Sequence, residues 1–146
     1  MVEDSADDAS LMVRALKRVD ASIDLDVVTD GYEALQFLRH ANSFANTTTP
    51  DLVLLDLNTP RKNGIEVLRE LKADKQLKGI PIVVMTTSNA PSDILDAYAV
   101  GAASYITKPE DFEELKEFVR AFFDYWRRAE FPAAQGPAHV LRYSGG

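Results

Sequence analysis

Several short apolar runs in this chain each end in groups that carry charge or offer a hydrogen bond. Met1-Val2 leads into Glu3-Asp4, and Val53-Leu54-Leu55 leads into Asp56. Ile82-Val83-Val84-Met85 leads into Thr86-Thr87-Ser88, and Ser104-Tyr105-Ile106-Thr107 leads into Lys108-Pro109. If these runs are parallel strands, their carboxyl ends share one rim of a sheet, where such sheets place their ligand sites. Three carboxylates (Glu3, Asp4, Asp56), the Thr86 hydroxyl and the Lys108 ammonium then crowd together. Carboxylates so placed repel one another, and one lysine does not balance three. A hard divalent cation resolves the repulsion, and a mixed carboxylate and carbonyl shell suits Mg²⁺, which completes its coordination with water and substrate phosphate. Lys108 and Thr86 remain to meet phosphate oxygens that the cation does not reach. Such a site is organised for phosphoryl transfer, in which positioning and charge neutralisation do most of the work. One of its carboxylates is then available as the nucleophile.

Each of these residues also has a plainer role when taken alone. Asp56 after an apolar run is equally a turn or helix cap, and Glu3-Asp4 could simply favour the positive end of a following helix. Lys108 alone reads as an exposed lysine, and Tyr105 as packing at a sheet edge. The joint occurrence of all five groups at the ends of apolar runs favours the common site.

The elements that must position them can be read from periodicity. Asp4 and Ser5 are helix caps, followed by Leu11, Met12, Ala15, Leu16 and Val19 on one face. A strand is expected at 23–28, a helix at 32–39 and a polar, threonine-rich loop at 41–50. The nearly continuous apolar run at 51–55 is the mark of a parallel strand covered on both faces. A helix at about 64–73, a strand at 82–85, a helix at 93–100 stopped by Gly101, a short strand at 104–107 and a final, fifth helix at 111–129 complete the alternation. The fold class implied is α/β, a five-stranded parallel sheet doubly wound by helices. The expected division is one domain over 1–130 and a C-terminal tail over 131–146.

Composition narrows the function classes. The chain has 146 residues, enough for one core, and no cysteine, which excludes disulfides and thiol chemistry. A formal charge of −7 without a basic stripe argues against nucleic acid as a partner. No run of about 18 apolar residues suggests a membrane span, and the start lacks secretory-signal character, so a cytoplasmic location is expected. His40 and His139 read as surface residues rather than metal ligands.

Over residues 1 to about 126 the chain resembles the receiver domain of two-component response regulators. The resemblance rests on Val2-Glu3-Asp4-Ser5, on Leu54-Leu55-Asp56-Leu57-Asn58-Thr59-Pro60 with Gly64, on Thr86, and on Tyr105-Ile106-Thr107-Lys108-Pro109. It implies a flavodoxin-like fold and a phosphorylation switch in which Asp56 accepts a phosphoryl group from a sensor histidine kinase. It implies further that Asp4 binds Mg²⁺ directly, Glu3 largely through water, and Asn58 by its backbone carbonyl. Lys108 would pair with the phosphate, Thr86 would move to hydrogen-bond it, and Tyr105 would change rotamer with Thr86. The implied catalysis extends only to the chain's own phosphorylation and dephosphorylation, so it is not a conventional enzyme. Met85-Thr86-Thr87-Ser88-Asn89, Pro91-Ser92-Asp93 and Phe123-Asp124-Tyr125-Trp126 resemble single-domain regulators paired with bacterial phytochromes. An aspartyl phosphatase of the haloacid dehalogenase type is disfavoured, because Asn58 stands where its general acid would be.

The receiver pattern is interrupted at its start. Only Met1 and Val2 stand for a central strand of about five apolar residues, so the first strand is largely missing. Three explanations are open: the true N-terminus lies upstream of Met1, a partner donates a strand, or the alternating segment 138–143 covers part of the gap. A disabled first strand would favour a pseudo-receiver that binds proteins independently of phosphorylation. The aromatic end of the fifth helix, together with the tail, is a candidate homodimer surface.

Overall fold

In the computed structural model, residues 1–20 and 22–132 are described in full, and 142–145 by their backbone alone. In chain order the elements are α1 (Ala6–Val19), β1 (Asp24–Val27), α2 (Gly31–Leu38), a 3₁₀ turn (Asn42–Phe44), β2 (Val53–Leu55) and α3 (Gly64–Ala73). They are followed by β3 (Ile82–Thr86), α4 (Pro91–Val100), β4 (Ser104–Thr107), α5 (Phe112–Trp126) and β5 (Arg142–Gly145).

Four of the helices begin on a side chain that accepts a hydrogen bond from their first turn, which satisfies an otherwise orphaned amide. Ser5 serves α1, Asp30 α2, Asn63 α3 and Asp111 α5. Helix α4 begins instead with Pro91, whose missing N–H costs nothing at that position, and it ends at Gly101 with φ of 123°.

Among the described residues all strand pairing is parallel. β2, β3 and β4 form one sheet in that order, and β1 pairs with β5. The expected continuous five-stranded sheet is thus divided, and the start of the chain supplies the link. Val2 forms isolated bridges to Val28 on one side and Leu55 on the other. It donates to Leu54 O at 2.9 Å and accepts from the Asp56 amide at 3.2 Å. The first strand is therefore present only at its carboxyl end, as the sequence anticipates. That end is the part that carries Glu3 and Asp4. The backbone of 142–145 runs beside β1, and the rest of segment 138–143 lies outside the described residues, as does His139.

Alternation along the strands sends side chains to two cores. Val53, Leu55, Ile82 and Val84 pack with Leu35, Leu38, Val67, Leu68 and Leu71 from α2 and α3. Leu52, Leu54, Val83 and Met85 pack with Met12, Leu16, Leu115, Val119 and Phe123 from α1 and α5. Both faces of the sheet are thereby covered, and the strand ends are held rigidly from above and below.

Several boundaries move inward from the sequence expectation, among them those of β2, α2 and α5. β2 begins at Val53 rather than residue 51, α2 ends at Leu38, and α5 spans Phe112–Trp126. Parallel pairing with β3 sets the first, because its register runs only from Val53↔Ile82 to Leu55↔Val84. At the last, Arg127, Arg128 and Ala129 continue in turns rather than in the helix.

Candidate functional site

The strand ends meet as the apolar runs imply. Glu3 follows Val2, and its backbone amide donates to Val28 O at 2.9 Å, which fixes the acidic pair at the middle of the rim. Asp56 follows β2 directly, Thr86 closes β3, and Lys108 lies just past β4, its amide donating to Thr86 O at 2.8 Å.

Two glycines bring the adjoining segments close. A Cβ on Gly64 would stand 2.5 Å from the carbonyl oxygen of Asp56 and 2.6 Å from Leu57 Cα. Only a residue without a side chain lets α3 start against the strand end that carries Asp56, and the Gly64 amide donates to Leu57 O at 3.0 Å there. Gly31 makes a similar approach to Lys62 O at the start of α2. Between them, Arg61 has φ of 65° and pairs with the buried cap Asp30 at 3.2 Å while lying over the Tyr32 ring.

Carboxylate oxygens of Glu3, Asp4 and Asp56 lie within 4.8 Å of one another. Glu3 and Asp56 are buried at 1% and 5% exposure, and Asp4 is exposed. Asp56 Oδ1 accepts from the Asn58 amide at 2.9 Å, and Oδ2 accepts from Lys108 Nζ at 2.8 Å. Lys108 Nζ also stands 2.6 Å from Glu3 Oε1 and 2.9 Å from Asp8 Oδ2. Glu3 Oε2 accepts from the Ser5 amide, whereas Oε1 receives no directed hydrogen bond despite the nearby ammonium.

The electrostatics follow from burial and crowding. Burial pushes the Glu3 carboxyl above the usual range, Lys108 pulls it back, and the neighbouring charge of Asp56 pushes it up again. For Lys108, burial acts downward but is outweighed by the pull of the Asp56, Glu3 and Asp8 carboxylates, so its ammonium is held above the ordinary lysine range. One cation therefore faces Glu3, Asp8 and Asp56, with Asp4 close by. A buried carboxylate oxygen without a directed hydrogen bond and an excess of negative charge are what a hard divalent cation would correct. The residues present fit such an ion.

The remaining predicted residues adjoin this cluster. Asn58 Nδ2 donates to Thr86 Oγ1 at 3.3 Å, so the loop after Asp56 touches the fully buried hydroxyl of β3. Tyr105 points inward: its hydroxyl donates to Ser88 O at 2.9 Å, and burial raises its pKa. Glu3, Asp4, Asp56 and Lys108 thus form one cluster, Asn58 and Thr86 border it, and Tyr105 contacts the loop that follows Thr86. Asp8 and Tyr98, whose hydroxyl accepts from the Tyr105 amide at 3.2 Å, are absent from the sequence reading, and Ser88 enters it only as part of the polar run after β3. Asp8 has a weak signal, as one of two acidic residues in the first turn of α1. Asp7 beside it carries the same chemistry, and only the fold separates them.

His40 makes no metal site among the described residues. Its ring nitrogens meet the hydroxyls of Thr47 and Thr49 at 3.1 and 3.0 Å, pinning the loop before β2.

Comparison with known proteins identifies this arrangement. The response regulator receiver domain family matches residues 1–120. The chain is 37% identical over 135 residues to Response regulator Rcp1 of Synechocystis, covering 92% of each. The crystal structure of the phosphorylated cyanobacterial phytochrome response regulator RcpA has a TM-score of 0.85 and 40% identity, over 90% of this chain and 95% of that one. The Mn²⁺-bound form of Rcp1 has a TM-score of 0.82 and 38% identity, over 90% and 96%.

Proposed function

The chain belongs to the response regulator receiver family, and on that premise we propose that it is the phospho-acceptor of a two-component pathway, taking a phosphoryl group onto Asp56 from a sensor histidine kinase. The observation that carries this reading is the convergence of Glu3, Asp4 and Asp56 opposite Lys108 at the carboxyl ends of the strands.

In the transfer, a carboxylate oxygen of Asp56 attacks phosphorus and forms the acyl phosphate bond. The bond from phosphorus to the kinase imidazole nitrogen breaks, its electron pair stays on that nitrogen, and solvent returns a proton. Glu3, Asp4, Asp56 and the Asn58 carbonyl would hold Mg²⁺, which supplies positive charge for the phosphoryl oxygens. Lys108 contributes a second positive charge, already in place 2.8 Å from Asp56 Oδ2, so little reorganisation is needed at the moment of transfer. Thr86, now bonded only weakly by Asn58, is free to turn its hydroxyl toward a phosphate oxygen. Such a turn pulls on the loop whose Ser88 carbonyl holds the Tyr105 hydroxyl, and the surface of α4 and β4 changes with it.

The product is a changed protein surface, so the chain is read as a switch whose own chemistry is limited to gaining and losing phosphate. Its similarity to Rcp1 and RcpA supports a phytochrome-type kinase as the partner. A cytoplasmic location follows from that partnership, and the charge of −7 supports protein rather than nucleic acid as the target. A homodimer through α5 is supported by its aromatic end. The Trp126 ring contacts Phe122, Tyr125 and Phe131, and Tyr125 is 67% exposed.

The test is phosphotransfer from a panel of phosphorylated sensor kinases in Mg²⁺. Label should pass to the wild-type chain and fail to reach Asp56→Asn. A wild-type chain that no kinase and no small acyl phosphate labels would establish the pseudo-receiver reading instead.

A further inference from the structure

Lys108 is held by three carboxylates, and they are not equivalent. Glu3 and Asp56 belong to the acidic cluster suited to a cation, whereas Asp8 lies outside it. Asp8 sits in the first turn of α1, where its amide donates to the Ser5 hydroxyl at 3.2 Å and the helix terminus favours its negative charge. Its carboxylate accepts a directed hydrogen bond from Lys108 Nζ at 2.9 Å across 100 residues of sequence. That bond ties α1 to the loop after β4 at the reacting end of the sheet.

The surroundings give this tie a purpose. Lys108 and Asp8 both border a cavity of about 140 Å³, floored by Leu11, Met12, Phe112 and Leu115. Glu3, Glu110 and Asp111 border the same cavity, with Asp111 Oδ1 already accepting from the Glu114 amide at 2.8 Å. A lysine stem has four rotatable bonds, and its charge goes where the local field is strongest. Glu3 and Asp56 share their charge with whatever cation the cluster holds. Asp8 does not, so its attraction for Lys108 is undivided.

We propose that Asp8 is a positioning residue that tethers the Lys108 ammonium beside Asp56. The reading rests on Asp56 being the acceptor only where phosphorylation is concerned; the tether itself is a property of the metal-free protein. In phosphorylation by acetyl phosphate, an Asp56 oxygen attacks phosphorus and acetate departs with the electron pair of the broken P–O bond. A correctly placed ammonium meets the phosphoryl oxygens in that step, and a wandering one does not.

The experiment uses Asp8→Asn and Asp8→Glu in the full chain and has two arms. In the first, metal-free protein is treated with an amine-selective acylating reagent, and modification of Lys108 is followed by peptide mass spectrometry. Asp8→Asn should raise Lys108 reactivity roughly fivefold, the scale of one half-exposed charged hydrogen bond, and Asp8→Glu should return it toward wild type. Unchanged reactivity in Asp8→Asn overturns the tether. In the second arm, acetyl phosphate labelling at saturating Mg²⁺ should slow roughly threefold to fivefold in Asp8→Asn, with rescue by Asp8→Glu. Faster labelling in Asp8→Asn overturns the proposal, because Asp8 would then be a charge barrier to the incoming phosphoryl group. A wild-type chain that takes no label refutes the acceptor reading, and the reactivity arm still decides the tether.

Discussion

Replacing Lys108 by methionine perturbs the charge balance on which the site depends. The lysine side chain is 12% exposed and stands 2.6 Å from Glu3, 2.8 Å from Asp56 and 2.9 Å from Asp8. The Asp8 side chain is 41% exposed, so solvent screens its share, which is set aside. Glu3 and Asp56 are buried, and methionine would leave them facing each other without a counter-charge. Removing one partner of a buried ion pair costs about 3–5 kcal/mol. For a chain of this size that is a fall of roughly 10 °C in Tm. The effect belongs to the metal-free protein; in excess Mg²⁺ the loss should shrink, because the cation neutralises the same carboxylates. Urea unfolding of both proteins, in chelator and in Mg²⁺, measures it. The sign with pH is also fixed. Because the folded Lys108 pKa lies above the unfolded value, its stabilisation is complete below about pH 10.4 and is lost as pH rises through the folded value. The gap between wild type and variant should therefore narrow above that pH. Identical urea midpoints in chelator would refute Lys108 as the counter-ion. Equal losses with and without Mg²⁺ would refute a shared set of carboxylates.

Other consequences follow from the same geometry. Gly64→Ala forces a Cβ against the Asp56 backbone and should destabilise by about 1–3 kcal/mol while slowing phosphorylation, measured by thermal melting and acyl phosphate labelling. Glu3→Gln should flatten the pH profile of metal-free stability. The raised Glu3 pKa makes its contribution full below the unfolded carboxyl value and lost as pH climbs through the folded one, a slope absent from the variant. Ser5→Ala removes the cap of α1 and should cost about 1 kcal/mol in urea unfolding, with or without Mg²⁺. Mg²⁺ at a hundredfold excess over its Kd should stabilise wild type by about 2.7 kcal/mol, and Asp56→Asn should reduce that gain.

Much of this was legible in the sequence because it depends on local pattern. The all-apolar runs at 53–55 and 82–85 declare buried parallel strands, and a strand that ends in Asp56 or Thr86 can only present that residue at the rim. Ser5 reads as a cap because a short polar side chain before an amphipathic stretch serves the same purpose in any fold. What escaped the sequence depends on contacts distant along the chain. Asp8 looks no different from Asp7 until α1 is packed beside the loop after β4. The Tyr98 hydroxyl on the Tyr105 amide likewise requires α4 to lie against the edge strand. The break between β1 and the main sheet was anticipated from the two-residue apolar run at Met1-Val2. That Val2 alone would bridge both neighbours required the register itself.

The central claim is that phosphate lands on Asp56 in a site that needs a divalent cation. Borohydride reduction converts an aspartyl phosphate to homoserine, which peptide sequencing can locate. After treatment with acetyl phosphate and Mg²⁺, homoserine is expected at position 56 and should vanish when a chelator replaces Mg²⁺. Homoserine at another position, or at position 56 without any divalent cation, would contradict the account.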